Sequence, residues 1–132
     1  AEMIEKKHRI EDALEAVKAA QMDGIVAGGG VALLRALPKK NSDPLEGIIY
    51  EAVKEPIRQM ARNAGESPDL ILDKVLRAKG NKGYNFATGE MCDLFEAGVI
   101  DPVRVTKTAL QMATSAAGTL LTTGYAIVEE GE

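Results

Sequence analysis

The chain opens on a helical alternation of charged and apolar residues. Met3, Ile10, Leu14, Val17 and Gln21 fall on one stripe, with Ala13 beside it, and this spacing predicts a single amphipathic helix over residues 1–22. The opposite face carries Glu5, Asp12, Ala16 and Ala19. Asp12 stands about 160° from the stripe centre at about 100° per residue. The alanines give that face little height, so a neighbour can come close to Asp12. Gly24 ends the helix as a C-cap or hinge.

A shorter apolar pattern follows from about Gly29 to Leu37, with Val31, Leu33 and Leu34 as its buried residues and Pro38 as its stop. Residues 38–44 read as a polar loop. Asp43 and Pro44 supply an N-cap and first turn for a helix carrying Leu45, Ile48, Ile49, Ala52 and Val53. Pro56 has no N–H and would crowd the carbonyl of Ala52, so the helix kinks or restarts there. Ile57, Met60 and Ala61 continue the inward face. Ser67, Pro68 and Asp69 cap another helix, with Leu70, Ile71, Val75 and Leu76 inward. Residues 80–89 are a glycine-punctuated loop or short hairpin. A short helix with Met91, Leu94 and Phe95 inward is expected next, ending at Gly98. Asp101 and Pro102 are expected to cap a last helix that buries Val105, Ala109, Met112, Ala113 and Ala116. Thr122 to Val128 read as an edge strand without a partner.

Between the first two helices lies Val26-Ala27-Gly28-Gly29-Gly30-Val31. Glycines there let backbone approach a ligand or another chain closely, and unpaired N–H groups at a helix start suit an anionic or hydroxyl-rich ligand. The same residues also suit a tight turn between closely packed helices. Asp12 reads equally as a solvated carboxylate or a functional one. Asp101 suits an N-cap or a sugar's hydroxyls. Asn85 suits a turn, or reads a base edge while Tyr84 or Phe86 packs on the ring.

Composition narrows the classes. The 132 residues, 45% apolar and 27% charged, suit one folded domain. A net charge of −4 offers no basic footprint for nucleic acid, and 4% aromatics offer no base-stacking platform. No apolar run reaches the length of a membrane span. Cys92 is the only cysteine, which suits a reducing compartment. His8 stands alone among lysines and arginine, without partners for a metal site. No nucleophile–histidine pair and no complete phosphate loop is present. The chain begins Ala1-Glu2 inside a helical pattern, as a fragment or processed piece would.

Taken in order, Glu11-Asp12-Ala13-Leu14, Val26 to Arg35, Gly83-Tyr84-Asn85-Phe86-Ala87-Thr88 and Gly98-Val99-Ile100-Asp101-Pro102 closely resemble the C-terminal part of the group I chaperonins, the GroEL family. The resemblance runs from Glu2 to about Val128, and the glycine-run motif has the bacterial or organellar form. It implies a mainly α fold: the C-terminal half of the equatorial ATP-binding domain over 24–132, a helical bundle with a short hairpin-like loop and a C-terminal edge strand. Residues 1–23 would be a long intermediate-domain helix, hinged at Gly24. It implies that Asp12 positions or activates water for attack on the γ-phosphate of ATP. Gly28 and Gly29 would lie against ribose and base, Tyr84, Asn85, Phe86 and Ala87 would contact adenine, Val99 would touch the base, and Asp101 would bind the ribose. Mg²⁺ and the phosphates would be held by residues outside this chain, in the subunit's N-terminal half. The implied partners are that half, neighbouring subunits of a homo-oligomeric ring, a co-chaperonin and unfolded polypeptides, with a bacterial cytoplasmic or organellar location. Phe86 departs from the family's usual small alanine. The 38–44 loop is shorter than usual, and the tail lacks the family's Gly-Met-rich repeat. A ligand-free helical assembly module is the competing reading, in which the glycines serve packing and Asp12 is surface charge.

Overall fold

The structure, a computed structural model, describes residues 2–37 and 44–128, with backbone only for 44–46. The 38–43 loop, the Asp43 cap, the Leu45 side chain and the last four residues lie outside the described residues. The elements are α1 (Glu2–Asp23), β1 (Ile25–Ala27), α2 (Val31–Ala36), α3 (Pro44–Ala52), α4 (Glu55–Asn63), α5 (Pro68–Arg77), β2 (Lys82–Asn85), β3 (Glu90–Asp93), β4 (Ile100–Pro102) and α6 (Val103–Thr122). The fold is mainly helical, with two antiparallel strand pairs, β1–β4 and β2–β3.

The core forms where α2, α4, α5 and the β2–β3 hairpin converge. Val31, Ile57, Ala61, Ile71, Val75 and Leu94 are each at most 1% exposed. Burying an aliphatic side chain of this size contributes about 1.5–3 kcal/mol. Helical spacing predicts most of this face. In α5, however, Leu72 is buried while Leu70 and Leu76 remain exposed, so the helix is rotated slightly from the expected stripe. Pro56 restarts the chain as expected, sitting in the first turn of α4. Ser67 flanks α5, but its side chain makes no capping bond.

Several expectations are corrected. No short helix holds Met91, Leu94 and Phe95: Met91 lies on β3 opposite Tyr84, and Leu94 is buried just after the strand. The glycine-punctuated loop closes into a hairpin, and pairing with β2 overrides the apolar spacing. Asp101 does not cap α6. It lies on β4 opposite Val26, and α6 begins two residues later. The α1 stripe does not face the core: Ile10, Leu14 and Val17 are each more than half exposed. The face toward α6 is the low one, where Ala16, Ala19 and Ala20 are half-buried. Small side chains let the two helix backbones come together there. α6 buries no side chain fully, and the inward set expected for it is exposed. In α3, Ile48 and Ile49 are likewise exposed. Residues 123–128 leave α6 without joining a sheet, so the expected edge strand has no hydrogen-bonded partner.

Candidate functional site

Three distant stretches meet at the short β1–β4 pair. Ile25 lies opposite Pro102, Val26 opposite Asp101 and Ala27 opposite Ile100. One step beyond the strand, the Gly28 N–H donates to the Val99 carbonyl at 3.0 Å. A Cβ on Gly28 would stand 3.1 Å from the Val99 carbonyl oxygen and 3.3 Å from its Cγ1, so Val99 itself calls for glycine here. The next glycines differ. Gly30, at φ +73°, would drive a Cβ to 2.8 Å from Ile57 Cγ1. Gly29, at φ +62°, would meet only the Tyr84 carbonyl oxygen, at 3.6 Å. One glycine thus packs on Val99 and one on α4, and the middle one has room for a Cβ in ordinary contact with the hairpin, its positive φ being what calls for glycine.

The hairpin residues divide similarly. Tyr84 is 5% exposed, and its hydroxyl donates to Glu66 Oε1 at 3.3 Å. Its ring belongs to the core, and its backbone carbonyl is what stands nearest Gly29. Phe86 is half-buried and meets the Tyr84 ring edge-on at 5.0 Å between centroids. The Asn85 side chain accepts from the Ala87 N–H at 3.0 Å, an Asx turn, while its carbonyl accepts from the Gly89 N–H at 2.8 Å. Ala87 is exposed on this turn. Val99 and Asp101 are half-buried. Among the described residues, the Asp101 carboxylate has no hydrogen-bond or ion-pair partner. A half-buried carboxylate without an internal partner retains its capacity to accept from an external pair of hydroxyls.

Asp12 lies apart from this cluster, midway along α1. It faces a cleft of about 540 Å³ lined by Ala16, Ala19 and Met22 of α1 and by Arg104 and Val105 of α6. At the end of α1, Arg104 Nε donates to Asp23 Oδ2 at 2.6 Å. Gly24, at φ +84°, accepts from the Val103 N–H at 3.1 Å through its carbonyl. The junction between α1 and the remainder is therefore tied to the start of α6 by one backbone bond and one ion pair.

The sequence pattern did not point to Arg104, Glu66 or Arg35. No local signal marks Arg104 and Glu66, whose partners lie far away in the chain. Arg35 shows only as a basic residue in the last turn of α2.

The TCP-1/cpn60 chaperonin family model matches residues 1–131. The chain belongs to this chaperonin family. Among solved structures it is similar to the open-state monomer of a group II chaperonin from Methanococcoides burtonii, with a TM-score of 0.71 and 30% identity, covering 89% of this chain and 33% of that one. The chain thus spans about a third of the length of that chaperonin.

In this chaperonin chain the Tyr84–Glu66 contact carries a pH signature. Burial of the hydroxyl, then the Glu66 charge and the hydrogen bond to it, raise the Tyr84 pKa above the ordinary tyrosine value. A folded-state pKa raised above the unfolded one contributes stability that is complete below about pH 10 and is lost as pH rises through the folded value. Thermal melts of wild type and Tyr84→Phe from neutral to strongly alkaline pH should show the wild type losing ground relative to the variant above about pH 10. A constant difference across that range would show that the hydroxyl is not held neutral by its surroundings.

Proposed function

We propose that this chain is part of a group I, ATP-driven chaperonin subunit that folds non-native polypeptides inside a homo-oligomeric ring. Residues 1–23 form its intermediate-domain helix, Gly24 is the hinge, and residues 24–132 are the C-terminal half of its equatorial domain. The chain supplies the ribose and base side of the ATP site. Asp101 accepts from the ribose hydroxyls. Gly29, Val99 and the Phe86–Ala87 turn receive the base. Asp12 rides on the hinged helix and aligns water only when that helix closes, which couples hydrolysis to conformation. ATP supplies the phosphoryl group whose transfer drives the cycle. Its phosphates and Mg²⁺ are held by residues of the subunit outside this chain. The other partners in this reading are neighbouring subunits, a co-chaperonin and unfolded clients, in a bacterial cytoplasm or an organellar matrix.

The observation that carries this reading is the β1–β4 pairing. It sets Asp101, whose carboxylate has no partner among the described residues, opposite Val26 and two residues from the Gly28–Val99 contact. The ligand-free assembly reading draws on the packing roles of Gly28, Gly30 and the Tyr84 ring, each accounted for by a neighbour within the chain.

Calorimetry with ADP on the intact subunit separates the two. Asp101→Ala is expected to weaken ADP by about 1.5–3 kcal/mol, the range for hydrogen bonds to a charged group, or roughly 10–150-fold. Unchanged affinity would remove Asp101 from the site and favour the assembly reading. The isolated 132-residue chain is expected to bind ATP weakly and not to hydrolyse it. Turnover by the isolated chain that survives Asp12→Asn would overturn that expectation together with the role of Asp12.

A further inference from the structure

The nucleotide reading places two backbone features on either side of the base: the glycine turn before α2 and the turn after β2. Nothing in that reading says what keeps them at a constant separation. The answer lies on one face of α2. Val31 and Arg35 stand four residues apart on that helix and therefore project from the same side.

At the start of α2, Val31 lies directly against β2. A Cβ on Gly83 would come within 2.6 Å of Val31 Cγ2 and of Leu94 Cδ1, so strand and helix touch with no room for a side chain. One turn further on, the Arg35 guanidinium reaches three backbone carbonyls. It donates to Val75 at 2.8 Å, to Gly80 at 3.2 Å and to Lys82 at 3.3 Å. Val75 lies in the last turn of α5, where carbonyls lack intrahelical partners and a cation is favoured. Gly80 and Lys82 lead into β2. The fork geometry of a guanidinium allows one side chain to hold several carbonyls at once.

We propose that Arg35 is a positioning residue for the nucleotide site: its bonds to the Gly80 and Lys82 carbonyls tie the strand that leads to Asn85–Ala87 to α2, the helix that follows Gly28–Gly30, and its bond to Val75 braces both against the end of α5. Arg35 touches no ligand. It acts by keeping β2 in register with α2, so that the turn after β2 and the glycine turn face each other at a constant distance. This rests on the nucleotide reading above, but the mechanical part of it does not.

The test uses the intact subunit with Arg35→Met, Arg35→Lys and a control, Arg77→Met. Among the described residues, Arg77 pairs with Asp73 alone, on the surface of α5. ATP KM and kcat, ADP affinity by calorimetry and amide hydrogen exchange of the segment 79–93 are measured on each. Arg35→Met is expected to raise KM and weaken ADP about tenfold with kcat unchanged, the pattern of lost uniform binding. Exchange over 79–93 should quicken while α4 peptides keep their protection. Arg35→Lys, which retains the charge without the fork, should recover part of the affinity, and the control should match wild type. Should Arg35→Met not fold, Arg35→Lys alone carries the comparison, with weaker ADP binding and faster hairpin exchange expected.

Unchanged exchange over 79–93 would overturn the proposal. So would uniform loss of protection across the chain, which marks Arg35 as a global stabiliser. Wild-type ADP affinity in a variant with a loosened hairpin would also overturn it. Failure of the nucleotide reading looks different: wild type itself would not bind ADP.

Discussion

In the intact subunit, Asp12→Asn is expected to slow ATP turnover by about 10²–10⁴-fold, the range in which a positioned acid–base group acts, while ATP affinity stays as in wild type. The expectation follows from the role proposed for Asp12 on the hinged helix. It projects from the alanine face of α1 into the cleft bordered by Arg104 and Val105, away from the cluster around Gly28, Val99 and Asp101. In the proposed reading Asp12 meets the attacking water and not the nucleotide's ribose or base, so its loss is expected to slow the chemical step and leave ground-state binding unchanged. Asparagine keeps the size and one acceptor oxygen and removes the charge that attracts a proton from water. Single-turnover hydrolysis together with ADP calorimetry reads the two effects separately. Parallel loss of both would place Asp12 among the binding groups. Full turnover in the variant would leave it a solvated carboxylate.

Gly30→Ala is expected to destabilise the fold by about 2–5 kcal/mol, whereas Gly24→Ala should cost only about 1–2 kcal/mol. Both glycines have positive φ, +73° and +84°, so both substitutions carry the left-handed backbone penalty. They differ in what surrounds them. A Cβ at Gly24 meets nothing within 4 Å. At Gly30 it would come to 2.8 Å from Ile57 Cγ1, and Ile57 is fully buried, so the isoleucine has nowhere to move. Overpacking of this kind adds about 1–3 kcal/mol. Denaturant titration of the two variants beside wild type measures the difference. Equal costs would mean that α4 shifts away from the glycine turn at little expense.

These two residues illustrate how differently the chain exposes its logic. Asp12 is visible in the sequence because a long helix has a strong period, and the position opposite its apolar stripe can be counted. The glycine run is visible as well, but its division of labour is not. Gly28 answers to Val99, Gly30 answers to Ile57, and Gly29 meets only the Tyr84 carbonyl, without crowding. Each partner comes from a remote part of the chain, and no local pattern names it. Tyr84 gives the same lesson: a Gly-Tyr-Asn loop suggests an aromatic ring offered to a ligand, whereas the ring lies in the core with its hydroxyl on Glu66.

The helices α1 to α6 and the restart at Pro56 were determined by the sequence itself, because periodicity and proline act over a few residues. The order of the chaperonin motifs was also written there. Only the tertiary structure decided the rest. Ile25–Ala27 and Ile100–Pro102 are too short to show a strand period, and they become strands by pairing with each other. That pairing makes Asp101 a strand residue opposite Val26 and not the expected helix cap. Met91 follows an apolar spacing that suits a helix, yet β2 offers it a hydrogen-bonded partner and a strand results. The exposed apolar faces of α1 and α6 mark the limit of what periodicity can tell. Spacing says which residues share a face, and only packing against a neighbour says which way that face turns.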